Sequence, residues 1–220
     1  MVLLHGYLSC KEAWTAQIAY FSRFYRVTAI DFLGFGKSGK LKTAFSVDGY
    51  AKWLKEVLSA LNIKNPHLLA HSFGCRVAVK LASEKDVALD KIVLTGPAGI
   101  ILKRGLGYKI KVKTYRLVKK VAPRYAEKRF GSKEYRTLSP LMKESYKKIV
   151  NEDLRSDATR VNNEVLIVEG SADKVTTMRE AEIYLKSFPR ARLERIEGGH
   201  FAFAENPVAF NLITEEFLYG

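Results

Sequence analysis

A disulfide framework is excluded at once, because 220 residues contain two cysteines, Cys10 and Cys75. No apolar run reaches the roughly 18 residues that a membrane-spanning helix needs. The opening residues Met1-Val2-Leu3-Leu4-His5 lack the basic flank and long apolar stretch of a secretory signal, so the reading is a reducing, cytoplasmic setting. Histidine is scarce, at four. No Cys/His/Asp set has a spacing suited to a metal, so neither metal nor cofactor is implied. Internal repeats and low-complexity linkers are missing as well. What is left suits one well-filled domain with an insertion, and is short for two domains.

Acidic residues run short in one place only. The chain carries a net charge of +14, and residues 101–150 hold sixteen Lys or Arg against Glu127, Glu134 and Glu144. The rest is close to neutral, so the basic segment needs an explanation separate from that of the remainder.

Short β-branched or leucine-rich runs at 1–5, 26–31, 66–71, 91–95, 164–169 and 191–196 read as strands. Several are apolar almost throughout, as in a parallel sheet covered on both faces. Helical periodicity fills the gaps. In 47–61 it places Tyr50, Trp53, Leu54, Val57, Leu58 and Leu61 on one face, with Ser46 as N-cap; 73–83, 176–187 and 207–218 behave similarly. This alternation predicts an α/β architecture with a doubly wound, mostly parallel open sheet. It breaks between 101 and 158, where Tyr108, Val112, Tyr115, Leu117, Val118 and Val121 recur among lysines, and Pro123 and Pro140 divide the stretch. The expected organisation is a core of 1–100 and 159–220 with a basic helical insertion at 101–158.

The most informative segment is His67-Leu68-Leu69-Ala70-His71-Ser72-Phe73-Gly74. A strand runs through small-X-Ser-X-small directly into a helix, the pattern of a nucleophile elbow with Ala70 in place of the first glycine. The turn is so sharp that its flanking residues must be small. A serine hydroxyl needs a base to take its proton, and His200 is the only histidine beyond it. It lies in Glu197-Gly198-Gly199-His200-Phe201, a glycine-rich loop after the last strand. An imidazole in that role needs its other nitrogen held. Asp173, after the strand 164–169 and the turn Gly170-Ser171-Ala172, is the best-placed acid, the bland alternative being an ordinary turn aspartate. Asp153 and Asp157 precede that strand, and Glu169 lies on it. Donors for a tetrahedral oxyanion are expected from the backbone N–H groups of Tyr7, after the Gly6 turn, and of Phe73.

These motifs resemble those of the α/β-hydrolase superfamily, in particular its small capped esterase-like branch. His5-Gly6 resembles the oxyanion turn, and Asp31-Phe32-Leu33-Gly34-Phe35-Gly36-Lys37-Ser38 the D-x-x-G-x-G-x-S loop. Ala70 to Gly74 resembles the elbow, Gly170 to Asp173 the acid turn, and Gly199-His200-Phe201 the histidine loop. The likeness implies a serine hydrolase with a Ser72–Asp173–His200 triad and a cap at 101–158. It implies cleavage of an ester or related acyl bond of a small substrate through an acyl-enzyme. Amide, thioester, lactone and carbon–carbon bonds stay open, and a non-catalytic binding protein on the same fold is the competing class. Members of the family usually carry two strands before the one bearing His5. Without them the strand 26–31 would be a sheet edge, from which low stability or an edge-mediated homodimer is expected. Lys174 stands where the family often has proline.

Gly34-Phe35-Gly36-Lys37-Ser38 imitates a phosphate-binding loop, but Asp31 occupies the position that needs glycine. Cys75 reads as a small buried residue, and His67 and His71 as structural. The basic insertion has three readings: a solvated helical face, a lid drawing an anionic substrate, or attachment to an anionic membrane surface. Nucleic acid is disfavoured, since no nucleic-acid fold signature accompanies the charge.

Overall fold

A computed structural model describes residues 1–102, 135 and 138–220. The chain opens on β1 (Val2–Leu4), passes through a 3-10 turn (Lys11–Trp14) into α1 (Thr15–Phe21), and returns as β2 (Thr28–Ile30). Next come α2 (Val47–Ala60), β3 (Leu68–His71), α3 (Phe73–Glu84) and β4 (Ile92–Thr95). The basic insertion holds α4 (Pro140–Val150) and α5 (Arg155–Ala158), and after it come β5 (Val165–Gly170), α6 (Met178–Ser187) and β6 (Ala191–Ile196). A short α7 (Ala202–Glu205) and α8 (Pro207–Tyr219) close the chain.

The strands form one open sheet in the order β2-β1-β3-β4-β5-β6, and every neighbouring pair is parallel. Their near-continuous apolar character follows from burial on both sides. Val2, Leu4, Leu68, Ala70, Ile92, Leu94, Val165 and Ile167 join one core with α2, α3 and α6. Leu3, Leu69, Val93, Leu166 and Val168 face the other, with Trp14, Phe21, Phe210 and Phe217. Alternate residues of each strand thus enter opposite cores, as the two-residue repeat of a strand requires. All six predicted strands are present. β2 is shorter than the predicted 26–31 and lies at a sheet edge, paired to β1 alone among the described residues.

Local signals set the helix ends. Ser46 Oγ accepts from Gly49 N–H (3.1 Å) and caps α2. Pro140 opens α4 at the position where a missing N–H costs nothing, with Ser139 Oγ accepting from Met142 N–H (3.2 Å). α6 begins with a reciprocal Thr177–Glu180 capping box. Leu61 departs from its expected place: α2 stops at Ala60, and Leu61 is 48% exposed beyond the buried face. The amphipathic pattern from Tyr108 to Val121, together with Pro123, lies outside the described residues.

Candidate active site

In a parallel sheet every strand delivers its C-terminal end to one edge, where the loops can converge. Here that edge receives Gly6 after β1, Ser72 after β3, Asp173 after β5 and His200 after β6. Ser72 sits at the junction of β3 and α3 with φ 50° and ψ −107°, a conformation rarely adopted by a residue with a side chain. The sharpness of that turn explains its small neighbours. A Cβ on Gly74 would lie 2.5 Å from the Leu4 carbonyl oxygen and 2.9 Å from that of His5, both backbone atoms of the adjoining strand and turn.

The acid turn and the histidine loop are built as one unit. Ser171 N–H donates to the Ile196 carbonyl (2.8 Å) and Ala172 N–H to that of Gly198 (2.9 Å). Gly170 makes this approach possible, since a Cβ there would stand 2.1 Å from the Gly199 carbonyl oxygen. Glu205 accepts from Gly199 N–H and ties the loop to α7.

Ser72, His200 and Asp173, separated by up to 128 positions, meet at this edge. His200 Nδ1 lies 2.7 Å from Asp173 Oδ2 and Nε2 lies 3.0 Å from Ser72 Oγ. With Nδ1–H donating to the carboxylate, Nε2 is left to accept the serine hydrogen. Such a relay can take a proton from the hydroxyl and stabilise the resulting imidazolium. The Asp173 side chain is fully buried and also accepts from the amides of Val175 (2.7 Å) and Thr176 (3.1 Å) and from Thr176 Oγ1 (2.9 Å). Burial by itself would raise its pKa. The bonds from His200, Val175 and Thr176 outweigh burial and hold the carboxyl down at about 2.

The remaining sequence candidates resolve as follows. His5 Nδ1 is 2.7 Å from the Gly6 carbonyl and Nε2 accepts from Phe32 N–H (3.0 Å), which fixes the neutral ring as a brace between two turns. Asp31 accepts from the amides of Lys11 (2.7 Å) and Lys37 (2.9 Å), stapling the glycine-containing loop rather than facing a phosphate. Cys75 is buried, and that burial raises its thiol well above the ordinary value. Asp153 accepts from Ile101 N–H, and Asp157 from Lys80, Ser83 and Arg160, so both are engaged away from His200. Tyr7 donates through its hydroxyl to the Met142 carbonyl (3.2 Å) and packs edge-on to Phe35 and Phe73. Among the described residues, neither Tyr7 N–H nor Phe73 N–H donates to a protein acceptor.

Three residues near the site, Thr176, Glu169 and Arg76, lay beyond the roles read from sequence, and His71 was read as structural. Thr176 Oγ1 is 3.2 Å from His200 Nδ1 as well as bonded to Asp173. His71 Nε2 is 2.8 Å from the His200 carbonyl and its ring packs on His200 and Phe201. Burial, with His200 adding to it, lowers His71 to about 3 and keeps it neutral. Glu169, set aside as a strand residue, is wholly buried, and neither carboxyl oxygen has a hydrogen-bond partner. Burial first, then the charge of Asp173, pushes it up to about 9. Arg76 lies on α3, one helical turn beyond Ser72. Its i+4 spacing was the available signal, and Thr176 could have been found from its closeness to Asp173.

A cavity of about 930 Å³ opens over Ser72 and His200. Its walls include Tyr7, Phe73, Ile100 and Leu102, and α4 contributes Tyr146, Ile149 and Val150.

This architecture and edge define a class, that of the α/β-hydrolases. The family model for the alpha/beta hydrolase fold matches residues 1–144, and the chain belongs to that family of hydrolases. Among relatives, a protein of Mycobacterium tuberculosis described as uncharacterized is 25% identical over 254 aligned positions, covering 99% of this chain and 74% of its own length. The probable lysophospholipase BODYGUARD 3 of Arabidopsis thaliana is 32% identical over 56% of this chain and 25% of its own. Solved structures agree on the fold. An enol-lactonase from Burkholderia xenovorans superposes with a TM-score of 0.77 at 21% identity, covering 100% of this chain and 90% of that one. An esterase from Exiguobacterium antarcticum gives 0.77 at 24% identity, covering 100% and 91%. No helix among the described residues is long and apolar enough to cross a membrane.

Proposed function

We propose that this protein is a serine hydrolase that cleaves an ester or related acyl bond of a small substrate through an acyl-Ser72 intermediate. The observation carrying this reading is the chain of contacts from Asp173 through His200 to Ser72, at 2.7 and 3.0 Å, on the wall of a substrate-sized cavity. Ser72 Oγ adds to the substrate carbonyl while its proton passes to His200 Nε2. The tetrahedral oxyanion is held by the N–H groups of Tyr7 and Phe73, whose lack of acceptors among the described residues supports that role. His200 then delivers the proton to the leaving group as the carbonyl–leaving-group bond breaks. Water, with His200 again as base, adds to the acyl carbonyl and releases the acid and free Ser72. No cofactor takes part in these steps.

We read the basic segment at 101–158 as a cap, of which α4 is the main described part. α4 supports that reading, since its Tyr146, Ile149 and Val150 line the cavity. Labelling by a fluorophosphonate probe tests the function. Modification of Ser72, its loss in Ser72→Ala, and turnover of short p-nitrophenyl esters are expected. Folded protein that neither labels nor turns over any such ester would instead identify a binding protein on this fold.

A further inference from the structure

We infer that Arg76 is an anion-recognition residue in the cavity, and that the acyl substrate carries a second, free carboxylate. The inference rests on the serine-hydrolase reading of Ser72. Arg76 lies four residues beyond Ser72 on α3, about 6 Å along the axis and on the same helix face. Its side chain is 8% exposed, and that residual surface lines the cavity shared by Ser72 and His200. Nη1 donates to the carbonyls of Ile149 (2.9 Å) and Glu152 (2.8 Å), where α4 ends. These two bonds use both Nη1 hydrogens and fix the plane of the guanidinium. Nη2 and Nε, which together form one edge of the fork, donate to no acceptor among the described residues.

No carboxylate among the described residues comes within ion-pair distance of Arg76. Burial lowers its pKa, while Tyr184, Glu152, Asp153 and Glu180 act on it from farther away. Glu180 also reaches the cavity wall, but its Oε2 accepts from Thr177 N–H and Oγ1. A buried guanidinium stays charged, and here two carbonyls fill one of its nitrogens while no carboxylate answers its charge and one donor edge is left unfilled. An oriented, two-donor edge facing a cavity matches the two oxygens of a carboxylate. Arg76 is the one Lys or Arg on the described wall, and the Glu180 carboxylate there is turned to its own Thr177 donors, so a single two-donor edge suits a monoanionic carboxylate better than a phosphate dianion.

The test compares wild type, Arg76→Gln and Arg76→Lys on two matched esters. One is mono-p-nitrophenyl glutarate, with a free carboxylate, and the other is neutral p-nitrophenyl pentanoate. In wild type kcat/KM is expected to favour the carboxylate ester by roughly 10- to 100-fold, the size of a charge-assisted pair. Arg76→Gln should lose that preference, mainly through KM, and Arg76→Lys should keep part of it. If Arg76 only anchors α4, both esters decline alike and the inference falls. Glutarate should also slow fluorophosphonate labelling of wild-type Ser72, and inorganic phosphate should not. That comparison holds even if the variants fail to fold. Protection by phosphate alone overturns the carboxylate assignment. Labelled wild type with neither ester preference nor glutarate protection overturns the inference while leaving the Ser72 reading intact. Folded protein that does not label at all overturns both.

Discussion

Glutamine in place of Glu169 should stabilise this protein, and by more as the pH rises. The wild-type side chain is fully enclosed with neither oxygen hydrogen-bonded, beside the carboxylate of Asp173. Its pKa rises from the ordinary 4.5 to about 9 on folding. Between those values the unfolded chain has released the proton and the folded chain retains it. Stability is therefore greatest at or below pH 4.5 and falls as the pH climbs towards 9, by up to about 1.4 kcal/mol per unit for this group. At pH 7 the accumulated loss is up to about 3 kcal/mol. Glutamine keeps the shape of the protonated acid and has no proton to lose. Urea unfolding of both proteins at pH 5, 7 and 9 reads the difference directly. The curves should nearly coincide at pH 5 and separate progressively above it. A gap that stays constant across that range, or closes at high pH, would refute the account of Glu169 as a proton-retaining acid.

Asp173→Asn should leave the fold intact and lower kcat on a p-nitrophenyl ester by roughly 10⁴-fold, because the amide cannot compensate the imidazolium or hold its tautomer; circular dichroism and steady-state rates together check it. Gly74→Ala sets a methyl against two backbone carbonyls, at 2.5 and 2.9 Å, that cannot swing aside. It should cost about 1–3 kcal/mol, lowering Tm by several degrees, and reduce labelling of Ser72. A variant as stable and as reactive as wild type would contradict the close approach of α3 to β1.

Much of the architecture was legible because the sheet is parallel and covered on both faces. Runs such as Leu68-Leu69-Ala70 and Val165-Leu166-Ile167-Val168 must then be apolar at every position, and they stand out. The elbow was legible for a steric reason, since few residues other than Ala and Gly fit around Ser72. Asp173 and His200 followed from their place after strands. Leu61 was misplaced because periodicity does not say where a helix stops, and α2 stops one residue earlier. Glu169 and Arg76 were opaque for a different reason. A carboxyl on an apolar strand and an arginine on an amphipathic helix look alike whether they reach water or not. Only the three-dimensional packing shows that Glu169 is sealed in and that Arg76 meets the cavity. His71, read as structural, does brace the His200 loop through its carbonyl.

The backbone at Ser72 sets competing demands on this chain. A side-chain-bearing residue held at φ 50° and ψ −107° costs about 1–3 kcal/mol, whereas glycine would rest there with ease. Screening variants for heat tolerance alone should therefore enrich Ser72→Gly, a sturdier molecule without the proposed nucleophile. Any effort to toughen this scaffold must score turnover alongside melting, or it will select for inert protein.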